Sequence, residues 1–138
     1  MRARPVQIRP ARAHELEAAR QLLAANGWGR RAADPERFRQ LVARSQVALV
    51  AVGDDDDARV VGFLRALTDG LSNGYIAMVV VDEAHRGQGI GTALVRACIG
   101  DDPAITWVLR AGRPGVAAFY EKLGFRVSQA AMERPRRE

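Results

Sequence analysis

Three glycines at alternating positions, Gly87, Gly89 and Gly91, lie in the run Arg86-Gly87-Gln88-Gly89-Ile90-Gly91. The run follows an apolar segment, Tyr75–Val81, and opens an amphipathic one. Glycines allow backbone N–H groups to converge on a ligand because no Cβ blocks the approach. The first N–H groups of a helix lack internal partners, and the helix dipole there favours an anion. The pattern therefore predicts a phosphate-binding turn.

Two common phosphate-binding motifs do not fit this turn. The Walker loop ends in Gly-Lys-Ser/Thr, which is absent here. The dinucleotide fingerprint needs its third glycine three positions after the second, and in this chain Gly91 comes one position early. The turn fits the pattern Arg-x-x-Gly-x-Gly, starting at Arg86.

The composition indicates one ordinary globular domain, which we expect to span residues 1–138 with a short basic tail over about 135–138. Hydrophobic residues make up 48% of the chain and charged residues 27%. No apolar run approaches the roughly 20 residues that span a bilayer, and Met1–Pro5 begins no secretory signal. We therefore predict a cytoplasmic protein without a membrane partner.

Cysteine and histidine usage argues against a metal site. Cys98 is the only cysteine, and the two histidines, His14 and His85, give no metal-ligand spacing with it. The net charge is +5, and Lys122 is the only lysine. Such a charge is compatible with a polyanionic ligand, a nucleic acid or a solvated basic surface.

Hydrophobic periodicity predicts the elements that position the turn. Asp54–Asp57 is typical of a solvated hairpin turn. We predict strands over 6–9, 47–52, 58–67, 75–81 and 105–109, one or two further strands within 125–134, and helices over 13–26, from Asp34-Pro35 onward, over 89–99 and over 115–123.

The predicted order is β-α-α-β-β-β-α-β-α-β, which indicates an α+β (mixed α/β) fold. Three consecutive strands favour antiparallel pairing, and the later strand-helix-strand unit adds a parallel pair. We therefore expect a central mixed, largely antiparallel sheet of about six or seven strands, with about four helices on both faces.

The glycine pattern on this strand and helix resembles the GNAT superfamily of N-acetyltransferases. The resemblance covers nearly the whole chain: an opening Ile8-Arg9-Pro10-Ala11, the segment Val81–Gly91, and Phe119-Tyr120-Glu121-Lys122-Leu123-Gly124-Phe125. It implies an acetyltransferase that uses acetyl-CoA and acts on a primary amine. It also implies that the strands on either side of the glycine-rich helix splay apart into a cofactor slot.

The resemblance implies that backbone groups bind the cofactor. The end of the strand would pair with the pantetheine arm, as an added strand would. The turn would bind the pyrophosphate, and Arg86 would contact a phosphate or brace the turn. Arg113 stands where family members often carry Asn; it could bind phosphate but cannot accept a hydrogen bond. The implied cofactor-binding residues are Val79, Val80, Val81, Arg86, Gly87, Gln88, Gly89, Ile90, Gly91, Thr92 and Arg113.

Tyr120 matches the tyrosine that serves the family as general acid. A neutral amine attacks the thioester, and a CoA thiolate leaves. A phenol of pKa about 10 can protonate a thiolate whose thiol pKa is about 8.5. The alternative is that Tyr120 is only a packed aromatic residue.

The acceptor side of the site is less defined. Trp28, in a Gly-Trp-Gly loop, and Tyr75 are candidates for lining the acceptor pocket. The general base stays open among Asp69, Glu83, His85 and a chain of waters, and each of these side chains is more simply a polar surface residue.

Two other functions remain as alternatives. The chain could be a non-catalytic acyl-CoA-binding module, or an acetyltransferase acting on an aminoacyl-tRNA or a protein amine. Nucleic-acid binding is disfavoured because no recognised motif is present and because CoA, itself a polyanion, accounts for part of the arginine excess. The leading expectation is a small-molecule or exposed amine, and the resemblance also allows a homodimer.

Overall fold

Apolar and β-branched segments form five strands in the computed structural model, which describes residues 5–53 and 58–137. The strands are β1 (Val6–Pro10), β2 (Val47–Gly53), β3 (Val60–Thr68), β4 (Asn73–Val81) and β5 (Thr106–Leu109). The helices are α1 (Leu16–Ala25), α2 (Gly29–Ala32), α3 (Pro35–Ala43), α4 (Ile90–Ile99) and α5 (Val116–Glu121). Single 3₁₀ turns at Ala13–Glu15 and Glu83–His85 precede α1 and the glycine turn.

The strands lie side by side in chain order, β1-β2-β3-β4-β5. The first four pair antiparallel, and β5 joins β4 in parallel after the crossover through α4. β3 is buried from Val60 to Leu64, as a central strand covered on both faces must be. The mixed, largely antiparallel sheet expected from the sequence is confirmed.

Helices cover both faces of the sheet, as predicted. On one face, α1, α2 and α3 bury Leu23, Ala32 and Phe38 against the sheet. On the other face, α4 and α5 bury Leu94 and Tyr120. Each helix of a packed layer needs an apolar stripe of this kind.

The expected number of strands was too high. No strand forms within 125–134, so the described sheet has five strands. The hydroxyl of Ser128 accepts the backbone N–H groups of Ala130 and Ala131 at 3.1 and 3.0 Å, and such local bonds compete with strand pairing. Val127 is 72% exposed and Met132 98%, so burial does not hold the segment on the sheet.

The sequence also predicts a helix start at Asp34-Pro35 and an acidic turn at Asp54–Asp57. Asp34 accepts the N–H groups of Glu36 and Arg37, so the predicted helix start at Asp34-Pro35 is confirmed. The acidic turn predicted at Asp54–Asp57 lies outside the described residues.

A buried ion pair fixes the start of α1 against β1. The Glu15 carboxylate, 4% exposed, accepts two bonds from Arg9 at 2.7 and 2.6 Å and one from the Arg12 N–H at 2.8 Å. The bonds from Arg9, more than any other contact, hold the pKa of Glu15 below its ordinary 4.5. A lowered folded-state pKa adds stability above pH 4.5 that is lost as the pH falls through the folded-state value.

Replacing Glu15 with glutamine should therefore lower the free energy of unfolding at pH 7 by about 1.5–3 kcal/mol, because Arg9 loses the charge of its buried partner and one acceptor oxygen. The difference from the native chain should shrink below pH 4.5, where the native carboxylate itself becomes protonated. Urea unfolding from pH 3 to pH 8 measures both effects. Glu36→Gln is the control: it breaks the pair with Arg39, in which both side chains are more than half exposed and water screens the charges, so it should matter far less. Equal effects of the two substitutions would contradict this account.

Candidate functional site

β4 and β5 pair over only the first part of β4. The parallel register runs from Asn73↔Thr106 to Ile76↔Leu109 and then stops. β4 continues to Val81, which is still paired with Gly62 on β3. In the described chain, the edge of residues 77–81 that faces away from β3 therefore has no strand partner. The strands splay, as the resemblance implied.

The splay opens a cavity of about 150 Å³. Its lining includes Ala77 and Val79 from β4, Leu109 from β5 and Tyr120 from α5. Residues of the two splayed strands and an aromatic residue of α5 thus line the same space. We call this cavity the slot.

A bulge in β4 lies at the mouth of the slot. Ala66 pairs with Ile76 and Arg65 with Met78, so Ala77 is an extra residue without a partner on β3. Bulges bend a strand and redirect its neighbouring groups. This one lies where β4 parts from β5. The ring of Trp107 packs on Gly74 just before that point, so closely that any Cβ there would overlap the ring.

The three positions of the turn require glycine for different structural reasons. Gly87 and Gly89 have φ values of 78° and 81°, which side chains disfavour, and no atom lies within 4 Å of a Cβ placed on either. Their surroundings are open to a ligand. Gly91 instead lies close to another element: a Cβ there would lie 3.3 Å from the ring of Phe119. This third glycine lets α4 pack against α5.

The turn presents backbone N–H groups at the start of α4. The first hydrogen bond of the helix runs from the Ala93 N–H to the Gly89 carbonyl at 3.0 Å. The N–H groups of Ile90, Gly91 and Thr92 precede that bond, so they have no acceptor within the helix. An anion at this end would meet these donors and the positive end of the helix dipole.

Arg86 braces the turn. Its guanidinium donates to the side-chain oxygen of Asn26 at 2.7 Å and to the carbonyl of Val81 at 3.3 Å. These bonds are of the bracing kind, and the phosphate contact also expected for Arg86 stays a prediction. The same side chain therefore links the residue that follows α1 to the end of β4.

The strand residues expected to bind the cofactor adjoin the slot. Val79 lines it, and the Val80 side chain is buried in the core on one face, 5% exposed. Val81 is half-buried and accepts from Arg86. Gln88 is exposed within the turn.

Tyr120 lies at the wall of the slot. Its ring is 8% exposed and packs edge-on against Phe119 and Phe125, with centroids 4.9 and 5.5 Å apart. Gly124, at φ 95°, ends the segment and turns Phe125 back onto this ring, as the sequence predicted. Burial, with the neighbouring Cys98, raises the pKa of Tyr120 above its usual value, so the phenol keeps its proton at neutral pH.

Arg113, Trp28 and Tyr75 come together beside the slot. The Arg113 guanidinium donates to the Gly27 carbonyl at 3.3 Å and stacks over the Trp28 ring at 5.6 Å. All three line a second cavity of about 480 Å³, and Trp28 and Arg113 also line the slot. The two residues predicted for the acceptor side therefore share one pocket.

None of the three side chains considered as a general base, Asp69, Glu83 and His85, lines either cavity. Asp69 accepts the N–H groups of Leu71, Ser72 and Asn73, which depress its pKa strongly, so its role is to hold the β3–β4 turn. The Nδ1 atom of His85 lies 2.8 Å from the carboxylate of Asp82. Glu83 is exposed in the adjoining 3₁₀ turn.

Sequence reasoning missed three arginines of the larger cavity, Arg30, Arg31 and Arg110. They come from α2 and from the end of β5, which are far apart in the chain. The two adjacent arginines, Arg30 and Arg31, close to Trp28 in the sequence could have indicated a basic pocket. No sequence spacing, however, predicts that Arg110 lies near them.

Within residues 5–53 and 58–137, no group of three or more His, Cys, Asp or Glu side chains is placed to hold a metal ion. Over the same residues, no helix has the length and apolarity to cross a membrane.

Comparison with known proteins matches residues 44–127 to the acetyltransferase (GNAT) domain family. Serotonin N-acetyltransferase 2, chloroplastic, from Oryza sativa subsp. japonica is 29% identical over 121 residues, which are 86% of this chain and 60% of that protein. The chain thus spans about three-fifths of the length of this curated relative.

Solved structures share the fold. The GNAT family acetyltransferase SP0256 from Streptococcus pneumoniae has a TM-score of 0.76 at 26% identity, covering 97% of this chain and all of that one. A GNAT family acetyltransferase from Brucella melitensis, solved with acetyl-CoA, has a TM-score of 0.65 at 22% identity and covers 99% of this chain and 95% of that one. The family match spans well over half of the chain and includes β4, the glycine turn and Tyr120, so the chain belongs to the GNAT acetyltransferase family.

Proposed function

We propose that the protein is an N-acetyltransferase that transfers the acetyl group of acetyl-CoA to a primary amine. The observation that carries the proposal is the edge of β4 that has no partner strand among the described residues, which runs from Ala77 past the slot to the glycine turn. One extended ligand with a diphosphate end would fit that course.

The cofactor side is supported by two independent features. The free backbone edge of residues 77–81 offers donors and acceptors to an extended pantetheine arm, as a sheet edge does to an added strand. The N–H groups of Ile90, Gly91 and Thr92 suit the pyrophosphate, and the open space at Gly87 and Gly89 leaves room for it. The Brucella protein of the same fold binds acetyl-CoA.

The acetyl transfer itself needs a neutral amine and a proton donor. The amine lone pair attacks the thioester carbonyl, the C–S bond breaks, and the amine loses a proton to solvent or a base. In the proposed mechanism the Tyr120 phenol gives its proton to the departing thiolate and regains one from solvent. Its place on the slot wall and its raised pKa support this role.

A turnover assay tests the proposal. Release of the CoA thiol from acetyl-CoA should depend on an added primary amine, and mass spectrometry should find the acetylated amine. The panel should hold amino acids, peptides with free amines, and arylalkylamines. Serotonin belongs in it because the rice relative's name includes that amine.

Calorimetry with acetyl-CoA completes the test. Absence of acetyl-CoA binding would overturn the proposal. Binding without amine-dependent release for any amine would replace it with the non-catalytic acyl-CoA module. Binding to tRNA that persists at raised salt would point to an aminoacyl-tRNA acceptor, whereas nonspecific attraction disappears as salt rises. A cytoplasmic location and a homodimer remain predictions beside this proposal.

A further inference from the structure

Four arginines line the larger cavity beside the slot: Arg30, Arg31, Arg110 and Arg113. The remaining lining includes Trp28, Tyr75 and the β4 residues Ile76 and Ala77, and none of the described residues that line the cavity carries a carboxylate. The cavity holds about 480 Å³, which is within the range of small-molecule sites. We call it the arginine pocket.

Arg110 and Arg113 keep part of their capacity to bind an anion. The Arg113 guanidinium is fixed by the Trp28 ring and by one long bond to the Gly27 carbonyl, so its other donors remain for a ligand. Arg110 pairs with Glu133 at 3.0 Å, but both side chains are about half exposed, and such pairs exchange readily with solvent. The guanidinium fork matches a carboxylate or phosphate in two-point contacts.

The pocket is far from the expected diphosphate position. It adjoins β4 at Tyr75–Ala77, whereas the glycine turn follows Val81. From Ile76 to Val81 the strand extends about 16 Å at about 3.3 Å per residue. A ligand whose phosphates lie at the turn would bring its acyl end toward the pocket, and the shared lining residues Ala77 and Arg113 join the two cavities.

We propose that the arginine pocket selects acceptor amines that also carry an anionic group, a carboxylate or a phosphate. This inference rests on the proposed acetyltransferase function and names its substrate class. The anion would lie among Arg31, Arg110 and Arg113, and the amine would point through the shared wall to the thioester. An amine without an anion would enter as a lone cation and be repelled.

The positive charges of the arginine pocket would also favour attack by the amine on the thioester. Nearby positive charge disfavours the protonated form of an amine and lowers its pKa. A bound amino group would thus be neutral more often at physiological pH, which is the state that attacks. This reduces the demand on a dedicated base. Of the described residues that line the arginine pocket, none has a carboxylate, and Glu133, which contacts Arg110, is held in that ion pair.

Matched acceptor pairs test the proposal. We expect the CoA-release assay to give kcat/KM at least about 10-fold higher for amino acids than for their amides, and for phosphoethanolamine than for ethanolamine, since a charged hydrogen-bonded contact is worth about 1.5–3 kcal/mol. Phenylalanine against phenethylamine should show the same preference. A preference for only one of the two anions would identify which group the pocket takes.

The variants Arg31→Gln and Arg110→Gln should raise KM for the anionic acceptor while the KM for acetyl-CoA stays the same. Arg96→Gln on the exposed side of α4 removes the same charge elsewhere and should change neither constant. Equal turnover of acids and amides would overturn the inference and leave the acetyltransferase function standing. A raised KM for acetyl-CoA in the two variants would assign the arginines to the cofactor and also overturn it. Absence of turnover with every amine in the native protein would instead reject the proposed function.

Discussion

Replacing Tyr120 with phenylalanine should lower kcat about 10²-fold and leave the affinity for acetyl-CoA nearly unchanged. The substitution removes only the phenolic hydroxyl, which we assign to protonating the CoA thiolate. The ring contacts with Phe119 and Phe125 are kept, so the fold and the slot should persist. Stopped-flow or steady-state CoA release gives kcat, and calorimetry gives the binding constant.

The pH profile separates a proton donor from a packing residue. Burial raises the pKa of Tyr120, so the protonated, active form should persist to above pH 10 before the native rate falls. The phenylalanine variant should lack that alkaline decline. A variant with native kcat and native melting temperature would show that Tyr120 only packs in the core. A large loss of acetyl-CoA affinity would place its hydroxyl in binding instead.

The glycine turn was predictable because its determinants are local. A strand, an alternation of glycines and an amphipathic helix follow one another within about twenty residues, and backbone N–H groups need no particular side chain. The left-handed conformations of Gly87 and Gly89 agree with that reasoning. Gly91 shows the limit of that reasoning. The sequence pattern assigns Gly91 to the turn, whereas a Cβ at this position would lie closest to the Phe119 ring.

Contacts between residues far apart in the chain could not be predicted from the sequence patterns. The sequence predicts that Arg86 contacts a phosphate or braces the turn, and its bracing partner, Asn26, lies 60 residues earlier in the chain. The arginine pocket likewise combines α2, β4 and the segment after β5, none of which carries a motif. Only tertiary packing, in which α2 lies against α1 and α3, brings those charges to the same cavity.

The end of the sheet was predicted wrongly for a related reason. Phe125 and Val127 alternate as strand residues do, but alternation only says that one face could be buried. In the fold Phe125 packs on Tyr120, whereas Val127 stays exposed and Ser128 starts a local turn. The short alternating run at residues 125–127 therefore led to a predicted number of strands that was too high.

The charge at the glycine turn should decide cofactor affinity. Gly89→Asp should weaken acetyl-CoA binding about 10²-fold, because a carboxylate roughly 5 Å from a phosphate costs about 3 kcal/mol at an effective dielectric constant near 20. Gly89 has φ 81°, and Asp and Asn tolerate that conformation better than other side chains. Gly89→Asn adds the same bulk without charge, so the ratio of the two dissociation constants isolates the electrostatic effect.

Gly100→Asp is the second control for this prediction. Gly100 lies at the opposite end of α4, also with positive φ, at 60°, and with no atom within 4 Å of an added Cβ. The Gly100→Asp substitution should leave the affinity for acetyl-CoA unchanged even if it lowers the free energy of unfolding. The ratio between Gly89→Asp and Gly89→Asn should shrink as salt is raised, since mobile ions screen exposed charges. Equal dissociation constants for these two folded variants at low salt would mean that the pyrophosphate does not lie at the start of α4.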